Sequence, residues 1–78
     1  MKNESRNRAW LERQRFIDAM LDYYGEFNRY HLIDYFGISQ PQASNDIKDY
    51  QATAPDNVYY NASARRYKCT SKFRRVYP

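Results

Sequence analysis

Between Leu32 and Tyr50 two short helical patterns are joined by only three residues, Gly37-Ile38-Ser39, and this junction constrains the fold more than any other feature of the chain. Glycine accepts a positive φ without strain, so Gly37 lets the chain turn sharply where the first pattern ends. Ser39 is a good N-cap for the helix that follows, Gln42 three residues on can complete a capping box, and Pro41 lies in the first turn, where no backbone donor is lost. Ile38 plugs the angle between the helices, and Ala43 is small where they approach. Ile47 and Tyr50, on the same face as Ala43, anchor the second helix to a core. A short helix, a tight turn and a capped second helix read as a helix-turn-helix.

The flanking sequence supplies the rest of a small domain. Residues 9–24 place Ala9, Trp10, Phe16, Ile17, Met20, Leu21 and Tyr24 at helical spacing, and Gly25 stops that helix. Asn28 can cap the next helix, whose apolar side is Leu32, Ile33 and Phe36. The helix after the turn should finish before Pro55, because the residue preceding a proline avoids the helical region. Beyond it the period changes. Val58-Tyr59-Tyr60 and Arg65-Arg66-Tyr67-Lys68-Cys69 are strand-like, with Asn61-Ala62-Ser63-Ala64 as a hairpin turn. The expected fold is mostly α with a small β-hairpin, a winged helix-turn-helix of three helices plus a two-stranded wing over residues 9–78. The polar start, residues 1–8, reads as a frayed end.

A chain of 78 residues makes one domain at most and buries one modest core. Nine tyrosines and four phenylalanines suit such a domain, since tyrosine fills a core while its hydroxyl reaches water or a polar partner. Cys69 is the single cysteine, so neither an internal disulfide nor a cysteine metal cluster is available, and the reducing cytoplasm is the simplest setting. No apolar run approaches the length of a membrane span or a signal-peptide core, so no membrane partner is expected.

Charge is distributed unevenly. The net charge is +4, yet residues 57–78 contain no acid and carry Arg65, Arg66, Lys68, Lys72, Arg74 and Arg75. A basic segment on an otherwise balanced chain points to a polyanion partner or to a solvated tail. The helical wheel places Pro41, Asn45 and Lys48 opposite the core face, with Gln42 and Ser44 on its flanks. Amide side chains can bond bidentately to adenine in a major groove, while Lys48 and the free amides around Ser39 and Gln40 suit phosphate. The candidate DNA contacts are therefore Ser39, Gln40, Pro41, Gln42, Ser44, Asn45 and Lys48, with Arg65 and Arg66 on the wing. If Arg65 and Arg66 both lie on a strand they point to opposite faces, unless one falls in the turn itself.

Other polar residues have plainer readings. Asp46 sits at the edge of the core face, where an ion pair with Arg29 would explain an acid in a helix proposed to meet DNA. His31 has Asp34 one turn on but no cysteine or second histidine, so a surface role outweighs a metal site or catalytic dyad. Cys69 reads as a small packed residue. Trp10, Phe16 and Tyr24 read as core, with Trp10 near the start as the candidate dimer contact.

Phe36-Gly37-Ile38-Ser39, Gln42-Ala43-Ser44, Asp46-Ile47 and Tyr50 together resemble the recognition segment of the WYL-domain transcription regulators, in particular the BrxR and CapW type of repressor that controls bacterial anti-phage defence islands. Asn28-Arg29, Ala54-Pro55 with Asn57, and Tyr60, Tyr67 and Phe73 extend the resemblance from about Trp10 to Pro78. DeoR-like regulators share the Gly-Ile-Ser and Asp-Ile pattern, and the wing tyrosines narrow the match. The resemblance implies a homodimer bound to an inverted repeat of double-stranded DNA. Members of that group continue into a ligand-sensing WYL domain and a dimerising extension, so no small-molecule site or cofactor is expected in these residues.

The expected function is sequence-specific duplex binding by a repressor, with residues 40–52 in the major groove and the wing, residues 58–69, on the flanking backbone. The alternative is a winged-helix protein-interaction module working through the Trp10 helix, or single-strand binding through exposed tyrosines such as Tyr59. No paired carboxylates, glycine-rich phosphate loop, metal cluster or nucleophile-base set suggests an enzyme.

Overall fold

The computed structural model describes the backbone of residues 4–78 and the side chains from Arg8 onward. Helix α1 (Glu4–Tyr24) is followed by strand β1 (Glu26–Phe27), helix α2 (Arg29–Phe36), helix α3 (Gln40–Thr53) and strands β2 (Val58–Asn61) and β3 (Arg66–Cys69). The helix-turn-helix and its wing are as expected. Helix α1 starts before Ala9, and the part of the expected frayed end at Met1–Asn3 lies outside the described residues.

The wing hairpin gains a third strand. The antiparallel sheet has the order β1-β3-β2, with Glu26 opposite Lys68 and Phe27 opposite Tyr67. Gly25, at φ 75°, turns the chain out of α1 so that these two residues reach β3, and its carbonyl accepts the Cys69 N–H at 2.9 Å. On one face of the sheet Tyr67 stacks on Phe27 at 5.2 Å and meets Tyr60 at 4.9 Å.

Helix α2 ends at Gly37, which adopts the left-handed conformation at φ 66° and donates its N–H to Ile33. The reciprocal capping box forms at the start of α2 and not at α3. Asn28 accepts from the N–H groups of Tyr30 and His31, while the His31 ring Nδ1 accepts from the Asn28 N–H. Ser39 does cap α3 by accepting from the Gln42 N–H at 3.2 Å, but the Gln42 side chain turns forward to the Asp46 carboxylate at 3.0 Å. A charged acceptor makes the stronger hydrogen bond and wins the amide.

The core lies where the helices converge on the sheet. Ile17, Leu21, Phe27, Leu32, Ala43, Ile47, Tyr50, Ala54 and Val58 are buried, with Phe16, Met20, Ile33, Phe36, Ile38 and Cys69 packed against them. Tyr24 departs from the periodic expectation: it is 72% exposed, because the helix ends beside it and the chain turns away. The segment after β3 is strapped down by polar groups. Buried Asp18 accepts from the Tyr50 hydroxyl at 2.5 Å, from the N–H groups of Val76 and Tyr77 and from the Arg75 guanidinium at 2.8 Å. Asn57 holds the same segment through both the N–H and the carbonyl of Arg74. Burial, and the bond to Asp18, push the Tyr50 hydroxyl well above the ordinary tyrosine value, so it stays a donor throughout the neutral range.

Candidate nucleic-acid interface

Helix α3 presents two chemically different sides because its core residues recur at helical spacing. Ala43, Ile47 and Tyr50 dock inward. Pro41, Asn45 and Lys48 are exposed on the opposite side, along with Ser39 and Gln40 at the helix start. Gln42 and Ser44 are half-buried on the flanks. The exposed stripe is polar, with Asp49 exposed at its edge.

Both acids near it are turned toward α1. Asp46 is fully buried and receives a guanidinium fork from Arg13, with Nε at 2.5 Å and Nη2 at 3.3 Å. Asp49 accepts from the Trp10 indole Nε1 at 2.8 Å. Buried Gln14 adds a bond to the Asp46 carbonyl at 2.9 Å. The expected Asp46–Arg29 pair is therefore incorrect. The wheel identifies the side of α3 on which Asp46 lies, but the element that covers that side is α1, and it delivers Arg13. A fork on a carboxylate fixes both distance and rotation, so α1 sets the angle at which α3 shows its outer side.

Arg29 goes elsewhere. Its guanidinium reaches across from the start of α2 to the Ser44 hydroxyl at 3.4 Å and lies 5.9 Å from the Tyr30 ring. Sequence reasoning cast it as a structural ion-pair partner and missed its position beside α3 and the wing.

The wing arginines differ from each other. Arg65 lies in the turn itself at φ 56°, an uncommon conformation for a side-chain-bearing residue. The Asn61 carbonyl oxygen on the side chain shapes that turn by accepting the Ala64 N–H at 2.9 Å. Arg65 is exposed and free of the strand's alternation, whereas Arg66 opens β3 and shares Glu26 with Lys68, at 3.4 and 3.3 Å. Trp10 is half-buried, its ring edge-to-face with Tyr77 at 6.4 Å. Among the described residues no group of three His, Cys, Asp or Glu side chains is arranged to hold a metal ion, and no helix is long and apolar enough to cross a membrane.

The family description "BrxR transcriptional regulator winged helix-turn-helix domain" matches residues 10–77. The chain is also similar to proteins named DNA-binding transcriptional repressor CapW. It is 49% identical over 70 residues to the one from Escherichia coli (strain KTE188), a stretch covering 87% of this chain and 23% of the relative. It is 47% identical over 71 residues to the Pseudomonas aeruginosa protein, covering 88% and 24%. For the Stenotrophomonas maltophilia protein the figures are 44% over 69 residues, 86% and 23%. The chain thus spans about a quarter of the length of these relatives.

Proposed function

The chain belongs to the family of BrxR transcriptional regulator winged helix-turn-helix domains, and from that premise we propose that it binds double-stranded DNA sequence-specifically and acts in transcriptional repression. The observation that carries this reading is the outer side of α3: Gln40, Pro41, Asn45 and Lys48 are exposed, while Asp46 is buried against Arg13 and the exposed Asp49 is tied to the Trp10 indole of α1. With Asp46 buried and Asp49 bonded to the Trp10 indole, the stripe meets a polyanion with reduced like-charge repulsion. In the major groove Asn45 reads a base edge, and Gln42 stays a flank residue held by Asp46. Lys48, Ser39, Gln40 and Ser44 serve the backbone, and Arg65 and Arg66 bring the wing against it. The relatives' names support repression.

Two copies bind an inverted repeat with half-sites near one helical turn, about 34 Å, apart. The exposed part of Trp10 is the candidate contact between them. The setting is the cytoplasm, at the nucleoid, and the resemblance noted above supports a phage-defence island as the regulated locus.

Fluorescence anisotropy with duplex from upstream of the protein's own gene, against a scrambled duplex of the same composition, tests the reading. Tighter binding to the upstream duplex, falling steeply with added salt, is expected. Equal affinity for the two duplexes, or association indifferent to salt, would favour a protein-interaction module instead.

A further inference from the structure

A cleft of about 540 Å³ opens between the start of α2 and the wing, lined by Arg29, Tyr30, Tyr60, Arg65, Arg66 and Tyr67 among others. Three of these side chains are guanidinium groups and three carry phenolic hydroxyls. The charge here is poorly matched within the chain. Glu26 pairs with the wing cations and is shared between Arg66 and Lys68. Arg29 has less. Among the described residues its one side-chain hydrogen bond is the 3.4 Å contact to Ser44, and its Nε is buried with no partner at all.

A half-buried guanidinium with an unmet donor is an unfavourable arrangement in the free protein, because it has lost part of its hydration without gaining an anion. An anion in the cleft offsets the partly desolvated charge, even with Nε itself covered. The guanidinium fork matches the oxygens of a phosphate in a way that a lysine ammonium does not. The position decides which phosphate. Arg29 touches Ser44 on α3, so an anion bound to it lies between the helix that reads the groove and the wing that flanks it.

We propose that this cleft seats a phosphodiester of the duplex backbone, with Arg29 as its principal ligand and Arg65 closing over it from the turn. This rests on the reading of α3 as a duplex-binding helix and adds to it a specific anchor. Filling the cleft sets how deeply α3 sits in the groove, and it contributes affinity without sequence preference.

The test compares Arg29→Gln and Arg29→Lys with the unaltered chain, by anisotropy on upstream and scrambled duplexes over a range of salt, with circular dichroism melting to verify folding. Arg29→Gln is expected to weaken both duplexes by a similar factor, roughly tenfold or more. It should lower the slope of log affinity against log salt by about 0.9, the signature of one lost phosphate contact. Arg29→Lys keeps the charge, so it should retain the slope while recovering only part of the affinity. It also provides the reading should Arg29→Gln fail to fold. Unchanged affinity and slope in a folded Arg29→Gln variant would overturn the anchor, and preference of the unaltered chain for its upstream duplex would leave the wider function standing. A loss confined to the upstream duplex would also overturn it, by making Arg29 a reader of bases. A lowered slope in a chain that shows no duplex preference would support the phosphate seat and sink the specific-repressor reading alone. Inorganic phosphate at millimolar concentration should compete only weakly; strong competition would mean that the cleft takes a free anion instead.

Discussion

Asp18→Ala is expected to remove a large part of the protein's folding stability. Asp18 is fully buried on α1 and ties three elements together: Tyr50 on α3, and Arg75, Val76 and Tyr77 beyond the wing. Alanine strands the donors that face it. Each buried donor without an acceptor costs about 1–3 kcal/mol. Leaving out Arg75, the buried Tyr50 hydroxyl and two part-buried backbone N–H groups would reach about 3–9 kcal/mol at full cost, and the partial exposure of the two N–H groups holds the destabilisation to about 3–5 kcal/mol. A domain of this size has a total margin of roughly 4–12 kcal/mol. Chemical denaturation followed by far-ultraviolet circular dichroism measures the loss, and a change under about 1 kcal/mol would show the hub to be dispensable. The same hub has an alkaline signature. Because folding raises the Tyr50 hydroxyl above its ordinary value of 10.0, the associated stability is complete below pH 10 and declines as pH rises beyond it. Tyr50→Phe should be less stable at neutral pH and should lack that part of the decline.

On the binding side, Asn45→Ala is expected to reduce affinity for the upstream duplex by about 5–150-fold, the equivalent of one bidentate base contact worth about 1–3 kcal/mol. Affinity for scrambled duplex should barely change. Lys48→Ala is expected to behave differently, weakening both duplexes alike and reducing the salt slope, since an ammonium serves phosphate as a point charge. The two residues lie one turn apart on the same exposed stripe and neither is held by another side chain among the described residues. Both substitutions should therefore leave the melting temperature close to that of the unaltered chain. If Asn45→Ala lowered both affinities equally, Asn45 would be a backbone contact and base reading would have to come from elsewhere on α3.

How much of this was legible beforehand follows the range of the interactions involved. Gly25, Asn28, Gly37, Ser39 and Pro55 act within a few residues of themselves, and each marks the element boundary expected of it. The inward side of α3 was readable from Ala43, Ile47 and Tyr50, because helical spacing is itself local. What escaped depends on partners distant in the chain. Strand β1 is only Glu26–Phe27, and it exists as a strand because Lys68 and Tyr67 arrive beside it. A wheel puts Asp46 on a side of α3, but whether Arg29 or Arg13 meets it depends on how α1 crosses, 33 residues away for Arg13. Tyr24 fits the apolar period of α1, yet it is exposed by the turn at Gly25. The strap from Arg74 to Tyr77 has no periodicity to read; it is held by Asn57 and Asp18 through backbone groups that carry no side-chain signature.

For the candidate interface, the stripe and the wing arginines were visible as residue types at spacings, whereas the Arg29 cleft became visible only with the wing folded against α2. The two acids of α3 show the same limit. Asp46 was assigned to Arg29 from the sequence and is met by Arg13, and the bond from Trp10 to Asp49 spans 39 residues that no local pattern connects.

The claim on which the functional reading depends is that the side of α3 opposite Ala43, Ile47 and Tyr50 lies against duplex DNA. Backbone amide shifts of isotope-labelled protein, recorded as upstream duplex is added, test it residue by residue. The largest changes should fall at Gln40, Asn45, Lys48 and Arg65, with the exposed Tyr23 and Tyr35 on the other helices unmoved. Changes centred on Tyr23 and Tyr35, with the α3 stripe silent at saturating duplex, would contradict it.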